Sequence, residues 1–159
     1  MLNEFILWLK ENEWNVSEYP QKITDASVKQ VIPANFPIAG NYIEFLCKIK
    51  RCVNRAETTW FVCYDEYSGD SNIAFKWNDF EVLSIDSAGH DDGLVKTIRE
   101  FWKINVPIIM SVQSGYAYYA LRDDGRVVFG MEPEFEEALI IANSFDNFIE
   151  MIVNGSISL

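Results

Sequence analysis

The stretch from Tyr116 to Gly130 constrains the chain more than any other. Residues 116–122 alternate, with Tyr116, Tyr118 and Ala120 on one face and Ala117, Tyr119 and Leu121 on the other. That is the period-two pattern of a β-strand. Asp123-Asp124-Gly125 follows, a hairpin loop in which glycine supplies the positive φ of a tight turn. Residues 126–130 read as the return strand. Alternate aromatics on a strand ordinarily pack against a helix, so one face is expected in the core and the other is left open.

Helices are expected around this hairpin. Leu2, Phe5, Ile6 and Leu9 recur at helical spacing over residues 2–13, with Trp8 widening the stripe. A short helix is expected over 25–32, stopped by Pro33, and a third is opened by Asn35-Phe36-Pro37, with Tyr42, Phe45, Leu46 and Ile49 as its apolar face. The loop Gly89-His90-Asp91-Asp92-Gly93 feeds a helix that Asp91 or Asp92 can cap. Its stripe is Leu94, Ile98, Phe101 and Trp102, and Pro107 is expected to close it off. Ser144 caps a last helix with Phe145, Phe148, Ile149 and Ile152 on one face, and Gly155 sits where a C-terminal glycine belongs.

Further strands are expected over 58–63, 73–76 and 108–113, and over 138–141 as a buried strand; 81–85 alternates weakly, and 66–72 is rich in turn formers. This order argues an α+β fold. The expected form is a central antiparallel sheet of about five or six strands flanked by N-terminal, middle and C-terminal helices.

Composition narrows the function. The 159 residues fit one domain, and 49% hydrophobic with 23% charged residues excludes wholesale disorder. The net charge of −11 repels phosphate backbones, so nucleic acid is not an expected partner, and it favours a monomer. Cys47, Cys52 and Cys63 form no disulfide framework and fit a reducing compartment as small buried residues. With His90 as the sole histidine, a Cys-based metal site lacks ligands. No phosphate-binding glycine motif is present, so no cofactor is expected. No stretch approaches the roughly 20 apolar residues of a membrane span. The early Glu4 and missing basic segment argue against a secretory signal, so the cytoplasm is the expected location.

The acids are unevenly placed. From residue 123 onward eight acids face one base, Arg126, for a net −7, and the rest of the chain carries −4. Asp123 and Asp124 lie in the hairpin loop, and Glu132, Glu134, Glu136 and Glu137 crowd the segment Glu132-Pro133-Glu134-Phe135-Glu136-Glu137. The plainest reading is a solvated acidic loop, and the second is a surface for a basic partner. A catalytic pair or cation site comes third, because no nucleophile or imidazole lies nearby in sequence. The Asp-Asp-Gly triplets lack the alternating ligands of a calcium loop.

Several motifs occur in order: Trp77-Asn78-Asp79-Phe80-Glu81, Ile98-Arg99-Glu100-Phe101-Trp102, Pro107-Ile108, Gly115-Tyr116-Ala117-Tyr118-Tyr119, Gly125-Arg126-Val127-Val128-Phe129-Gly130, Glu132-Pro133-Glu134-Phe135 and Ile141-Ala142-Asn143-Ser144-Phe145-Asp146-Asn147-Phe148-Ile149. With Ile32-Pro33 and Tyr42-Ile43-Glu44-Phe45-Leu46 upstream, the chain resembles the SUKH superfamily, named for the fungal Smi–Knr cell-wall-synthesis regulators. The likeness runs over residues 30–154 and departs at the polar turn region 68–72. It implies a central antiparallel sheet with flanking helices. It also implies a non-catalytic binding protein, in bacteria mostly an immunity protein that neutralises a toxin, often a nuclease. A regulatory or ligand-binding module like the fungal relatives is the alternative. The resemblance assigns no site residue; the acidic segment as an interface is an inference from charge.

Overall fold

The computed structural model describes residues 1–33, Phe36, Ile38 and 40–159. Helix α1 (Leu2–Glu11) buries Leu2, Phe5, Ile6 and Leu9, the stripe that the sequence spaces at helical period. Strand β1 (Asn15–Glu18) follows, and then α2 (Asp25–Val31), whose N-terminus is capped by the Thr24 hydroxyl accepting from Ser27 N–H. Helix α3 (Gly40–Lys48) passes directly into β2 (Ile49–Val53), so Ile49 belongs to the sheet rather than to the helix face. The expected opening of this helix at Asn35 and Pro37 lies outside the described residues.

Strand β3 (Thr59–Phe61) leads into α4 (Tyr64–Ser68), α5 (Asp79–Ala88) and α6 (Asp92–Ile104). Then come β4 (Asn105–Ser111), β5 (Ala117–Arg122), β6 (Val127–Met131), β7 (Leu139–Ala142) and α7 (Phe145–Val153). The caps act as expected at two ends: Asp91 accepts from Leu94 N–H, and Ser144 accepts from Asn147 N–H. Gly125 and Gly155 take the positive φ that their turns require.

The seven strands form one antiparallel sheet in sequence order, β1 to β7, each strand paired with the next. The sheet is covered on both faces. Phe61 and Tyr119 point to the side of α1, α3 and α7, where Phe61 meets Phe5 and Phe45, and Tyr119 meets Phe148. Trp60 and Tyr118 point to the other side, where Trp60 meets Phe75 and Tyr118 meets Phe80 and Trp102. The α+β class and the antiparallel sheet with flanking helices are therefore present.

Several expectations are corrected. The sheet has seven strands rather than five or six. The additional β1 is polar apart from Val16, because as an edge strand it is mostly exposed, and β2 is masked by the adjacent Lys50 and Arg51. Residues 73–76 form no strand, and 81–85 lie inside α5, where packing against α6 overrides a weak alternation. The turn-rich segment 66–72 begins inside α4, which ends on a left-handed Gly69. Pro107 lies within β4 rather than closing α6; the strand carries a bulge beside it, which accommodates a residue without an N–H. Strand β7 was expected to be buried, yet Leu139 and Ile140 are exposed, since nothing pairs beyond it.

Packing on the α6 side is tight at Gly130. It pairs with Tyr118 across the sheet, and a Cβ there would collide with the Tyr118 phenol. The Tyr118 hydroxyl donates to the Phe135 carbonyl. Gly130→Ala should cost about 1–3 kcal/mol by overpacking. Tyr118→Phe should cost about 1–3 kcal/mol by leaving that buried carbonyl unpaired. Urea unfolding of each variant and of the pair checks this: the two losses should not add, and unchanged midpoints would disprove the contact's importance.

Candidate functional site

The four glutamates of residues 132–137 sit on the connection between β6 and β7, and that connection is held from behind. Phe135 points inward and is 5% exposed. Its ring lies 4.7 Å from Phe80 of α5. Its carbonyl accepts from Tyr118, whose phenol is pushed up in pKa chiefly by burial and then by the charge of Glu136, so it remains a donor. Glu136 accepts from Trp102 Nε1 at 3.0 Å. Glu132 N–H donates to Tyr116 carbonyl at 2.8 Å, and the Glu132 carboxylate folds over the Gly115 turn, where an added Cβ would stand 2.7 Å from Oε1.

Anchored this way, the loop points carboxylates outward. Glu132, Glu134 and Glu137 are exposed, and Glu136 is half-buried. Among the described residues none of the four makes an ion pair. Some acids elsewhere are matched: Lys10 and Lys48 hold Glu18, Arg51 holds Glu57, and Arg55 holds Glu13.

Asp123 and Asp124 lie apart from this group. They occupy the β5–β6 turn, at the opposite end of β6 from Glu132. Five strand residues separate these ends, about 16 Å of extended chain. Asp124 is committed to the turn: it accepts from Arg126 Nε at 2.9 Å and from Arg126 N–H at 3.0 Å, and Arg122 Nε stands 3.4 Å away. These cations, the Arg126 hydrogen bond foremost, hold its carboxyl below the usual range. The six acidic residues singled out by sequence thus divide into a turn clamp and an outward acidic loop.

The acidic loop forms one wall of an open groove of about 510 Å³. The other walls are apolar or small: Leu83, Ser84, Ser87 and Ala88 from α5, and Leu94 and Ile98 from α6. Tyr116 also lines it, its ring tilted against Phe75 and Phe80 with centroids 5.5 and 6.1 Å away. Leu94 is the first residue of the apolar stripe that marks α6 in the sequence. The stripe does bury Ile98 and Trp102, but Leu94, one turn nearer the helix start, is 47% exposed and lines the groove. Leu83 and Tyr116 are exposed as well. Fully covering a side chain of this size is worth roughly 1.5–3 kcal/mol, so a partner gains by filling the groove.

Sequence reading missed this apolar floor because 81–85 was not seen as helical. Leu83 with Ser87, and Ser84 with Ala88, stand four apart, the spacing that would have revealed it.

Other candidate chemistry has structural explanations. Cys47, Cys52 and Cys63 are buried free thiols. Burial pushes Cys47 up to about 11 and raises the other two further, which disfavours the nucleophilic thiolate. His90 is exposed in the α5–α6 loop. Glu66, at the polar recess between α4 and β2, caps Cys63 N–H at 2.7 Å, and burial raises its pKa. No group of three or more His, Cys, Asp or Glu among the described residues is placed to hold a metal ion, and no described helix is long and apolar enough to cross a membrane.

Two carboxylates should therefore show opposite pH signatures. Asp124, with a depressed pKa, contributes stability above its unfolded pKa and loses it as pH falls through the folded one. Asp124→Asn should cost about 0.5–1 kcal/mol at neutral pH, fading as the pH falls below the usual carboxylate range. Glu66, with a raised pKa, favours the fold below its unfolded pKa and loses that contribution as pH rises through the folded one. Glu66→Gln keeps an acceptor for Cys63, so its stability relative to the native chain should increase with pH. Urea midpoints across pH check both, and parallel curves for variant and native chain would refute the assignments. No family model, curated protein or solved structure significantly matches the chain.

Proposed function

We propose that this protein is a non-catalytic binding protein of the immunity kind, which neutralises a basic protein toxin, a nuclease being the class that its charge suits best. The observation that carries the reading is the anchored loop of residues 132–137, whose exposed carboxylates cluster beside an apolar groove and form none of the ion pairs found among the described residues. Unmatched like charges repel one another, and a basic partner relieves that repulsion while filling the groove. Nuclease toxins bind phosphates and so tend to be basic. Carboxylates on a rigid loop can occupy a phosphate-binding cleft, and the −11 charge speeds the encounter. The sequence resemblance to the SUKH superfamily supports the same reading. The protein would act as a monomer in the cytoplasm, where three buried reduced thiols are at home.

A second reading is a regulatory, ligand-binding module like the fungal members of that superfamily. The groove of about 510 Å³ favours it, since this lies within the range of small-molecule sites. A metabolite that raises the melting temperature without a protein partner would select it.

Affinity capture from the native host, at about 50 mM and about 500 mM salt, tests the immunity reading. The expected result is a basic protein, held more strongly at low salt, whose expression arrests growth and whose toxicity this chain relieves. The Glu134→Lys/Glu137→Lys variant should associate with it about 10- to 100-fold more slowly at low salt. Absence of a captured toxin at either salt would remove the immunity reading.

A further inference from the structure

We infer that the groove between α5, α6 and the acidic loop is a receptor for an amphipathic, lysine- or arginine-rich helix presented by a partner protein. The inference rests on the binding-protein reading and names the chemistry of its partner. Two features of the groove converge on this occupant. Its floor is apolar and open, with Leu83, Leu94 and Tyr116 at 37%, 47% and 38% exposure. Its rim carries Glu132, Glu134, Glu136 and Glu137 without a cation in ion-pair reach among the described residues. A segment that matches both needs apolar side chains on one side and positive charges beside them.

The walls select a helix over an extended strand. Strand addition requires a free sheet edge, and the edges here are β1 and β7, neither of which lines the groove. The backbones of α5 and α6 are satisfied internally, so an extended guest would leave its own N–H and C=O groups without partners. A helix brings those groups already paired. The small Ser84, Ser87 and Ala88 on α5 let it settle low against the wall. The ten residues of α5 span about 15 Å, so a guest of about three turns matches the length. A lipid surface is disfavoured by the same rim, because anionic headgroups would face the glutamates.

Amide chemical shifts of the full ¹⁵N-labelled chain provide the test. The probes are a synthetic Lys/Leu helix with its leucines on one face, the same composition scrambled, and a Glu/Leu counterpart. The ordered cationic helix should bind about tenfold or more tighter than the scrambled one at about 150 mM salt, and the Glu/Leu helix should not bind. Shifts should centre on Leu83, Leu94, Tyr116 and Glu134. Leu94→Asp should weaken binding about tenfold, and Ser87→Trp, at an exposed position, should do so by filling the groove without disturbing the core. Melting temperatures confirm that each variant folds. Equal binding of the scrambled peptide, shifts centred elsewhere, no binding, or folded variants that bind as the native chain does would each overturn the inference. If a captured toxin binds Ser87→Trp undiminished, the groove falls and the immunity reading stands. If the helix binds in the groove but the host yields no toxin, the reverse holds.

Discussion

The packing of Tyr118 is the constraint on which the rest of the acidic face depends. Its ring fits over the backbone of Gly130, the one β6 position that offers it no side chain to meet. From there it reaches Trp102 at 4.9 Å and Phe80 at 5.9 Å, tying α6 and α5 to the sheet. Its hydroxyl holds the Phe135 carbonyl, so the same side chain that joins the helices also fixes the connection between β6 and β7. Buried aromatic contacts of this kind are satisfied only in one arrangement, since displacing the hydroxyl leaves a carbonyl without water or partner. The glutamates therefore take their positions from an apolar cluster beneath them.

That arrangement also explains why an apolar groove persists beside the loop. Helices α5 and α6 cover the sheet where Phe80 and Trp102 meet Tyr118. The amphipathic stripe of α6 continues one turn further, to Leu94, and the matching face of α5 continues through Leu83. Residues at both ends of one stripe obey the same helical spacing, but only those over the sheet are buried. The exposed remainder follows from helices that outrun the layer on which they rest.

This difference decides what could be read from the sequence. The hairpin at Tyr118, Asp124 and Gly130 was legible because strand alternation and a glycine turn are local signals. So were the capped α6 and α7, whose Asp91 and Ser144 bond to amides three residues on. Strands β1 and β2 were not legible: one is a polar edge, and the other has two cations on successive residues. The α5 segment was ambiguous because residues 81–85 alternate weakly, and the packing against α6 resolves the choice. At the site, the carboxylates were visible as a cluster, but their division was not. Asp124 and Glu134 look alike in sequence. Two arginines claim the first, and no described cation claims the second, which depends on where the chain folds back.

The division has a consequence for how such a surface can vary. A loop stabilised by its own ion pairs would lose stability whenever its charges changed. Here the fixing contacts are the Phe135 ring, its carbonyl, the Trp102 bond to Glu136 and the Glu132 backbone, while the carboxylates of Glu134 and Glu137 are exposed and form none of the ion pairs found among the described residues. Mutual repulsion is a cost in the free protein, and it is screened by salt over a Debye length of about 8 Å at physiological ionic strength. Carboxylates such as Glu134 and Glu137, exposed to solvent, are free to change without loss of the loop's anchor. The apolar anchor beneath them keeps the loop in register. Anchor and exposed charge thus occupy different residues of a single segment, with Phe135 and Glu136 bonded inward and Glu134 and Glu137 directed to solvent.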